Sequence, residues 1–370
     1  MLRQVGKMAL QAVTPLRLTE SIPGVSIEEA RKIIGAVHRR DGLPSSIAMV
    51  RSTSLAAVRA AGFLPRLAVH SVTASSLDPF IKFAFVTPDG CLIETVRIPL
   101  ERQGRFTVCV SSQAGCGLGC EFCATGQAGF ERNLETWEIV EQVREVRRGL
   151  DRTRRQRVHG VVFQGMGEPL ANLDCVIDAI RVICEPSALA VDGRTVTVCT
   201  AGIPEGIRRL AREAPKVRLG VSIGSARPGV RRALMPIDRA HPLDAVLDAA
   251  AEHARVTGLA PMWGITLLAG TNDTAADALA LAARARDFTQ QAGLRPQIRI
   301  IPYNPIRLAA GEPFRRSDEQ TEAAFGKLLR AEGFCAHRRY SGGADICAAC
   351  GQLAARSLQR TSSEVGGASC

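Results

Sequence analysis

The spacing of apolar residues changes along the chain, and the changes divide it. Over 26–37 apolar positions recur with helical period, and Ser26 is followed three residues later by Glu29, a capping box that starts a helix. A second short helix is expected over 54–61, so residues 1–75 read as a small N-terminal helical module. Two strands of a β-hairpin follow at 80–87 and 91–99, with Pro88-Asp89-Gly90 as the turn.

From 136 onward helical and extended patterns alternate. Ile139, Val143, Val146 and Leu150 share one face of a helix over 136–148, and 158–164 is an apolar strand. Helices are expected at 173–184, 204–213, 243–254, 275–291 and 318–332, and strands at 195–200, 217–223, 263–268 and 297–301. Repeated βα units argue for an α/β fold with a parallel sheet and helices outside it. About six units fit an open, partial (βα)6 barrel, whose active residues gather at the C-terminal ends of the strands. Gly165–Glu168, Cys199, Ser222 and Asn304 stand at or just after such ends. The expected organisation is an accessory module over 1–75, a catalytic core over 76–355, and a Ser/Gly-rich tail over 356–370 expected to be disordered.

Composition narrows the class. The 370 residues are 46% hydrophobic, enough for a sizeable core, yet no run of about 18 apolar residues suggests a membrane span. Met8–Val13 is too short and polar for the core of a secretory signal. Twelve cysteines scattered through so long a chain do not read as the disulfide framework of a small secreted domain, and free thiols point to the reducing cytoplasm. The net charge of +11 favours phosphate-bearing partners. Arg144, Arg147, Arg148, Arg152, Arg154, Arg155 and Arg157 fall close together; they read either as an RNA-contacting run or as a solvated helix end that complements the helix dipole.

The chemistry is concentrated in Cys116-Gly-Leu-Gly-Cys120-Glu-Phe-Cys123. Thiolates are strong ligands for iron–sulfur clusters. A cubane cluster has four irons and this loop offers three ligands, which leaves one iron open to a small molecule. Glycines at 115, 117 and 119 suit a tight loop. A zinc site or a disulfide pair is the alternative, but zinc usually takes two ligand pairs and no second half lies nearby. Gly167 and Glu168 form a G-x-G-E-P turn after a strand, where backbone can approach a ligand and a carboxylate can accept from an ammonium group. Cys347 and Cys350 make a C-x2-C that by itself fits a redox or zinc pair, while a lone buried Cys such as Cys109 is ordinarily a small hydrophobe.

The cysteine run followed by Ala124-Thr125-Gly126 resembles the radical S-adenosylmethionine (SAM) superfamily. Together with Cys109–Cys116, Gly165-Met-Gly-Glu168-Pro169, Ile301-Pro-Tyr-Asn304-Pro305 and Ala348-Ala-Cys350-Gly-Gln-Leu353, in this order, it resembles the RlmN/Cfr family of RNA adenine methyltransferases from about Phe80 to Leu353. The resemblance implies a 4Fe-4S cluster on Cys116, Cys120 and Cys123, and SAM held by Gly167, Glu168, Cys199, the Ser222-Ile223-Gly224 triplet and Asn304. It implies two SAM molecules per turnover. One methylates Cys350; the other is cleaved at the cluster to a radical that removes hydrogen from the S-methyl group. The resulting methylene radical adds to carbon 2 or carbon 8 of adenine. Glu94 is implied as the base that takes the ring proton, and Cys109 as the thiol that releases the product through a transient disulfide with Cys350. Implied partners are 23S ribosomal RNA, tRNA as a second substrate, and an electron donor such as flavodoxin or ferredoxin.

Some positions depart from the family pattern. Cys199 stands where serine is common, Ser222-Ile223-Gly224 replaces a Ser-Leu-His triplet, and Ser341–Ala344 lacks a frequent arginine. These departures and the atypical N-terminus keep open a radical SAM methyltransferase of a small molecule. A non-catalytic RNA-binding iron–sulfur protein is the rival from another class, and Cys109, Cys350 and Glu94 together count against it. Cys91, Cys175, Cys184, Cys335 and Cys370 have no assigned role.

Overall fold

In a computed structural model of the chain, which describes residues 7–40, 42–151, 153–306 and 311–353, ten strands form one mixed sheet. In chain order they are β1 (Ala68–Ala74), β2 (Ile81–Val86), β3 (Leu92–Pro99), β4 (Arg105–Val110), β5 (Arg157–Phe163), β6 (Val196–Thr200), β7 (Arg218–Ser222), β8 (Met262–Leu267), β9 (Gln297–Pro302) and β10 (Ala336–Arg338). Each pairs with its neighbour in sequence, so the order across the sheet is the order along the chain. Pairings from β4 to β10 are parallel and those from β1 to β4 antiparallel. The result is an open array of six βα units, as the alternation predicts, with an antiparallel flap on one side.

Helices cross between the parallel strands. α1 (Ile27–Arg39) belongs to the N-terminal region. α2 (Thr136–Arg148) joins β4 to β5, α3 (Leu173–Cys184) joins β5 to β6, and α4 (Pro204–Glu213) joins β6 to β7. α5 (Leu243–Thr257), α6 (Ala275–Ala292) and α7 (Glu319–Ala331) complete the series. Their apolar stripes face the sheet: α2 buries Ile139, Val140, Val143 and Val146, and Trp263 of β8 meets Phe288 of α6 edge-on at 5.2 Å. Strands covered on both faces bury continuous apolar runs, as Val161, Val162 and Phe163 do in β5.

The capping box of α1 is present, with Ser26 accepting from the Glu29 amide and Glu29 accepting from that of Ser26. Glu29 also pairs with Arg51 at 2.7 Å. Leu10, Leu18, Ile33 and Ile34 join the same core as α2 and α3. The main sheet reaches back to β1, inside the first 75 residues. Residues 354–370, including the expected tail, lie outside the described residues.

The arginine run divides. Arg144 and Arg148 pair with the buried Glu141 at 3.0 and 2.9 Å, and Arg144 also donates to the Val37 carbonyl. Arg144 thereby ties α2 to the N-terminal region. Arg154, Arg155 and Arg157 are exposed where β5 begins, at the opposite end of the parallel strands from their C-termini. Arg152 lies outside the described residues.

Candidate active site

The C-terminal ends of the parallel strands enclose a cavity of about 210 Å³. Its wall includes Cys109, Cys116, Cys120, Cys123, Gly167, Glu168, Cys199, Ser222, Gly224 and Cys350. Residues from across most of the core thus meet at one place. Glu94, Ile223 and Asn304 are near this wall but are not part of it.

The cysteine loop leaves β4 through a fixed hinge. The Ser111 amide donates to Gln142 Oε1 of α2 at 2.8 Å, and Ser111 Oγ donates to the Glu94 carbonyl at 2.6 Å. Gly115 (φ +72°) and Gly119 (φ +63°) are left-handed, so the loop needs glycine there; Gly117 is not among the positive-φ residues. Burial raises all three loop thiols, Cys116 to about 12. Among the described residues, no three His, Cys, Asp or Glu side chains converge on a point where one ion could sit. Three separate thiols around one cavity do suit a cluster, in which each thiolate takes its own iron. The donor set therefore fits a 4Fe-4S group.

Opposite the loop lies the turn after β5. Gly167 has φ +96°, and a Cβ there would lie 2.5 Å from the Gln113 Cβ, so any larger residue would push the turn off the cysteine loop. Glu168 is buried. Its Oε1 accepts from the Leu170 amide at 3.0 Å and its Oε2 from the Ala201 amide at 2.9 Å. Burial pushes this carboxyl up, and the two amides oppose that shift by favouring the charged form. The carboxylate is thus locked in place before any ligand arrives. Cys199 sits beside it, its thiol raised to about 12 by burial.

Ser222 and Gly224 face the cavity, while Ile223 lies buried behind them. The Ile223 amide donates to the Gly264 carbonyl at 2.8 Å. Its carbonyl accepts from Arg231 Nε at 3.0 Å, and the buried Arg231 also reaches the Ala201 carbonyl and Asp238. Sequence reading missed Arg231, which ties the ends of β6 and β7 together.

Cys350 arrives from a loop that folds back onto the cysteine loop. The Ala124 amide donates to the Gly351 carbonyl at 2.7 Å, and Thr125 Oγ1 to the Leu353 carbonyl at 2.5 Å. The Asn304 amide donates to the Cys350 carbonyl at 3.1 Å and to Ser341 Oγ at 2.8 Å. Asn304 therefore braces the Cys350 loop. Gln164 Nε2 donates to Cys350 Sγ at 3.3 Å, and Arg339 donates to Gln164 Oε1 at 2.7 Å. Neither Gln164 nor Arg339 belongs to a motif that singles it out.

Cys109 is on β4, opposite Val96 of β3, and its side chain enters the same cavity as Cys350. Burial pushes its thiol up to about 12, nearby negative charge on Cys350 adds to the shift, and Arg339 opposes it. Glu94 lies two residues from Val96, hence on the same face of β3. It is buried and pairs with Lys82 Nζ at 2.9 Å. Lys82 also reaches the Cys347 carbonyl at 3.5 Å.

Comparison with known proteins agrees with this geometry. The model of the radical SAM superfamily matches residues 110–283. A protein of Sorangium cellulosum named "Probable RNA methyltransferase" is 55% identical over 91% of this chain and 90% of its own. The dual-specificity RNA methyltransferase RlmN of Syntrophobacter fumaroxidans is 44% identical over 75% of this chain and 77% of its own. A crystal structure of a radical SAM methyltransferase from Sphaerobacter thermophilus superposes with a TM-score of 0.82, at 35% identity, covering 94% of this chain and 99% of that one.

Proposed function

We propose that this chain, which belongs to the radical SAM RNA methyltransferases of the RlmN type, methylates carbon 2 or carbon 8 of an adenine through an S-methylcysteine at Cys350. The observation that carries the reading is the meeting of Cys109 and Cys350, distant in sequence, in the cavity that Cys116, Cys120 and Cys123 line. The substrate is 23S ribosomal RNA, with tRNA as a second one. The reaction takes place in the cytoplasm, with flavodoxin or ferredoxin as electron donor. Among the described residues no helix is long and apolar enough to cross a membrane.

Cys116, Cys120 and Cys123 would hold the 4Fe-4S cluster, which when bound would supply the electron for cleaving SAM. Gly167 and Glu168 hold the amino end of SAM, and Cys199, Ser222 and Gly224 line its bed, with Ile223 supporting them from behind. Asn304 contacts SAM and also braces the Cys350 loop beside it. An aromatic ring carbon is a poor nucleophile, so covalent catalysis divides the task. Cys350 sulfur takes a methyl group from one SAM. Loss of a hydrogen atom from that methyl, at the cost of a second SAM, leaves a carbon radical that bonds to the adenine ring carbon, and the unpaired electron this places on the ring returns to the electron-donor chain that supplied the reducing electron. Glu94 then takes the proton from the substituted ring carbon, and Lys82 keeps its carboxylate paired while it waits.

Release uses Cys109. Its thiolate attacks Cys350 sulfur, the sulfur–carbon bond breaks, and the electron pair passes to the departing carbon, which is protonated to the new methyl group. A Cys109–Cys350 disulfide remains and is reduced by external thiol. The test is peptide mass spectrometry of the reconstituted chain after incubation with SAM. A methyl group on the Cys350 peptide, absent from Cys350→Ala, is expected. Modified RNA made by Cys350→Ala would overturn the assignment.

A further inference from the structure

Among the described residues, the large exposed hydrophobic side chains include only two aromatic rings, Phe130 and Tyr340. Phe130 lies beside Gly117, between two cavity-lining residues of the cysteine loop, and Tyr340 is itself part of the wall. Scattered exposed apolar residues need no explanation. Tyr340 differs because it is held. Its hydroxyl donates to Asp78 Oδ2 at 3.0 Å. Its ring packs against Phe80, which also lines the cavity, with centroids 6.1 Å apart and planes tilted by 59°.

The anchor is itself anchored. Asp78 Oδ2 accepts from the Gly343 amide at 2.8 Å, and Asp78 Oδ1 from the Phe80 amide at 3.1 Å. The carboxylate thus fixes the hydroxyl end of the ring, the Phe80 backbone and the start of the loop that carries Cys350. Even so, 68% of Tyr340 remains open to solvent. An aromatic ring fixed at its edge and open on its face is suited to stacking.

Unpaired RNA bases are recognised by stacking on aromatic side chains. An adenine that enters a buried cavity must leave its own stack, and its neighbour loses a stacking partner. We propose that Tyr340 is the stacking platform for a nucleobase adjacent to the target adenine. The platform holds the opened strand at the mouth while the target base reaches Cys350. This inference rests on the reading that RNA adenine is the substrate.

The test compares the native chain with Tyr340→Phe, Tyr340→Leu and Tyr340→Ala, each cluster-reconstituted under anaerobic conditions. The readout is methyl transfer from labelled SAM into total RNA as a function of RNA concentration. Loss of one base–aromatic stack should raise the half-maximal RNA concentration about 5- to 150-fold in the Leu and Ala variants. The Phe variant keeps the ring and its packing on Phe80 but loses the Asp78 hydrogen bond, so its half-maximal concentration should lie closer to the native value than that of Leu, which separates stacking from that bond. Leu, which is apolar but has no π face, separates stacking from plain burial. A Leu variant with the native half-maximal concentration would overturn the platform and leave the methyltransferase reading intact. A native chain that transfers no methyl group to RNA would overturn the reading beneath it.

Discussion

In the proposed mechanism, release of the product depends on Cys109, a thiol that burial holds toward its protonated form. Burial moves the Cys109 thiol from about 9 to about 12. Charge on Cys350 adds to the shift only while that sulfur is free, so burial remains the main cause once Cys350 is linked to the base. Burial disfavours the charged form, so thiolate grows as pH rises. A shift of about three units leaves about 10³-fold less thiolate at neutral pH than an ordinary thiol would have. The higher pKa also makes each thiolate a better nucleophile, with a Brønsted slope of about 0.4–0.5, so the net slowing is about 30- to 60-fold. The assay is anaerobic single turnover, with quenched samples run on denaturing gels to count protein-linked RNA. Release should accelerate about tenfold per pH unit from 7 to 9, without a plateau. Cys109→Ala should accumulate an RNA adduct through Cys350 at every pH. A plateau near pH 9, or full turnover by Cys109→Ala, would refute the reasoning.

Other outcomes follow from single contacts. Replacing Cys116, Cys120 and Cys123 together by Ala should abolish bound iron and sulfide in anaerobic analysis, and a full complement retained would remove the cluster from this loop. Gln142 is fully buried and bonds Thr95 Oγ1 and both the amide and the carbonyl of Ser111. Gln142→Leu strands those groups, so it should cost on the order of 3 kcal/mol and lower the denaturant midpoint, whereas an unchanged midpoint would mean that water replaces the amide. Arg154, Arg155 and Arg157 stand at the far end of the strands from the cavity, so converting all three to Gln should leave the slope of log RNA affinity against log salt unchanged; three phosphate contacts on an opened strand would flatten it by about 2.

Local signals in the sequence carried much of this fold. The helices 136–148, 173–184 and 204–213 keep their expected limits because each has an apolar stripe and clear ends, such as Pro204 at the first turn. Three strands of the ten-stranded sheet were not legible. All of β1 is exposed, so it has no apolar face to alternate. β4 runs directly into the cysteine loop, whose glycines and cysteines mask it, and β10 is only three residues long. The site divides in the same way. Cys116, Cys120 and Cys123 are close in sequence, so their spacing was enough to mark them. Gln164, Arg339 and Lys82 matter only through partners far along the chain, and no spacing reveals such contacts. Asn304 was visible as a motif residue, but only the folded chain shows its amide holding Cys350. The arginine run looked uniform in sequence, and Glu141 divides it between structural and exposed members.

The central claim is that the methyl carbon passes through Cys350 as a methylene radical on its way to adenine. SAM carrying a trideuterated methyl group tests it. The native chain, reconstituted with cluster and reductant, would be incubated with RNA and this SAM, and the RNA digested to nucleosides for mass spectrometry. One deuterium leaves with the abstracted hydrogen atom, and a solvent proton replaces it on release. The account predicts a methyladenosine, modified on a ring carbon, that carries two deuteriums. A product carrying all three, or methylation on a nitrogen, would mean direct transfer from SAM and would contradict the account.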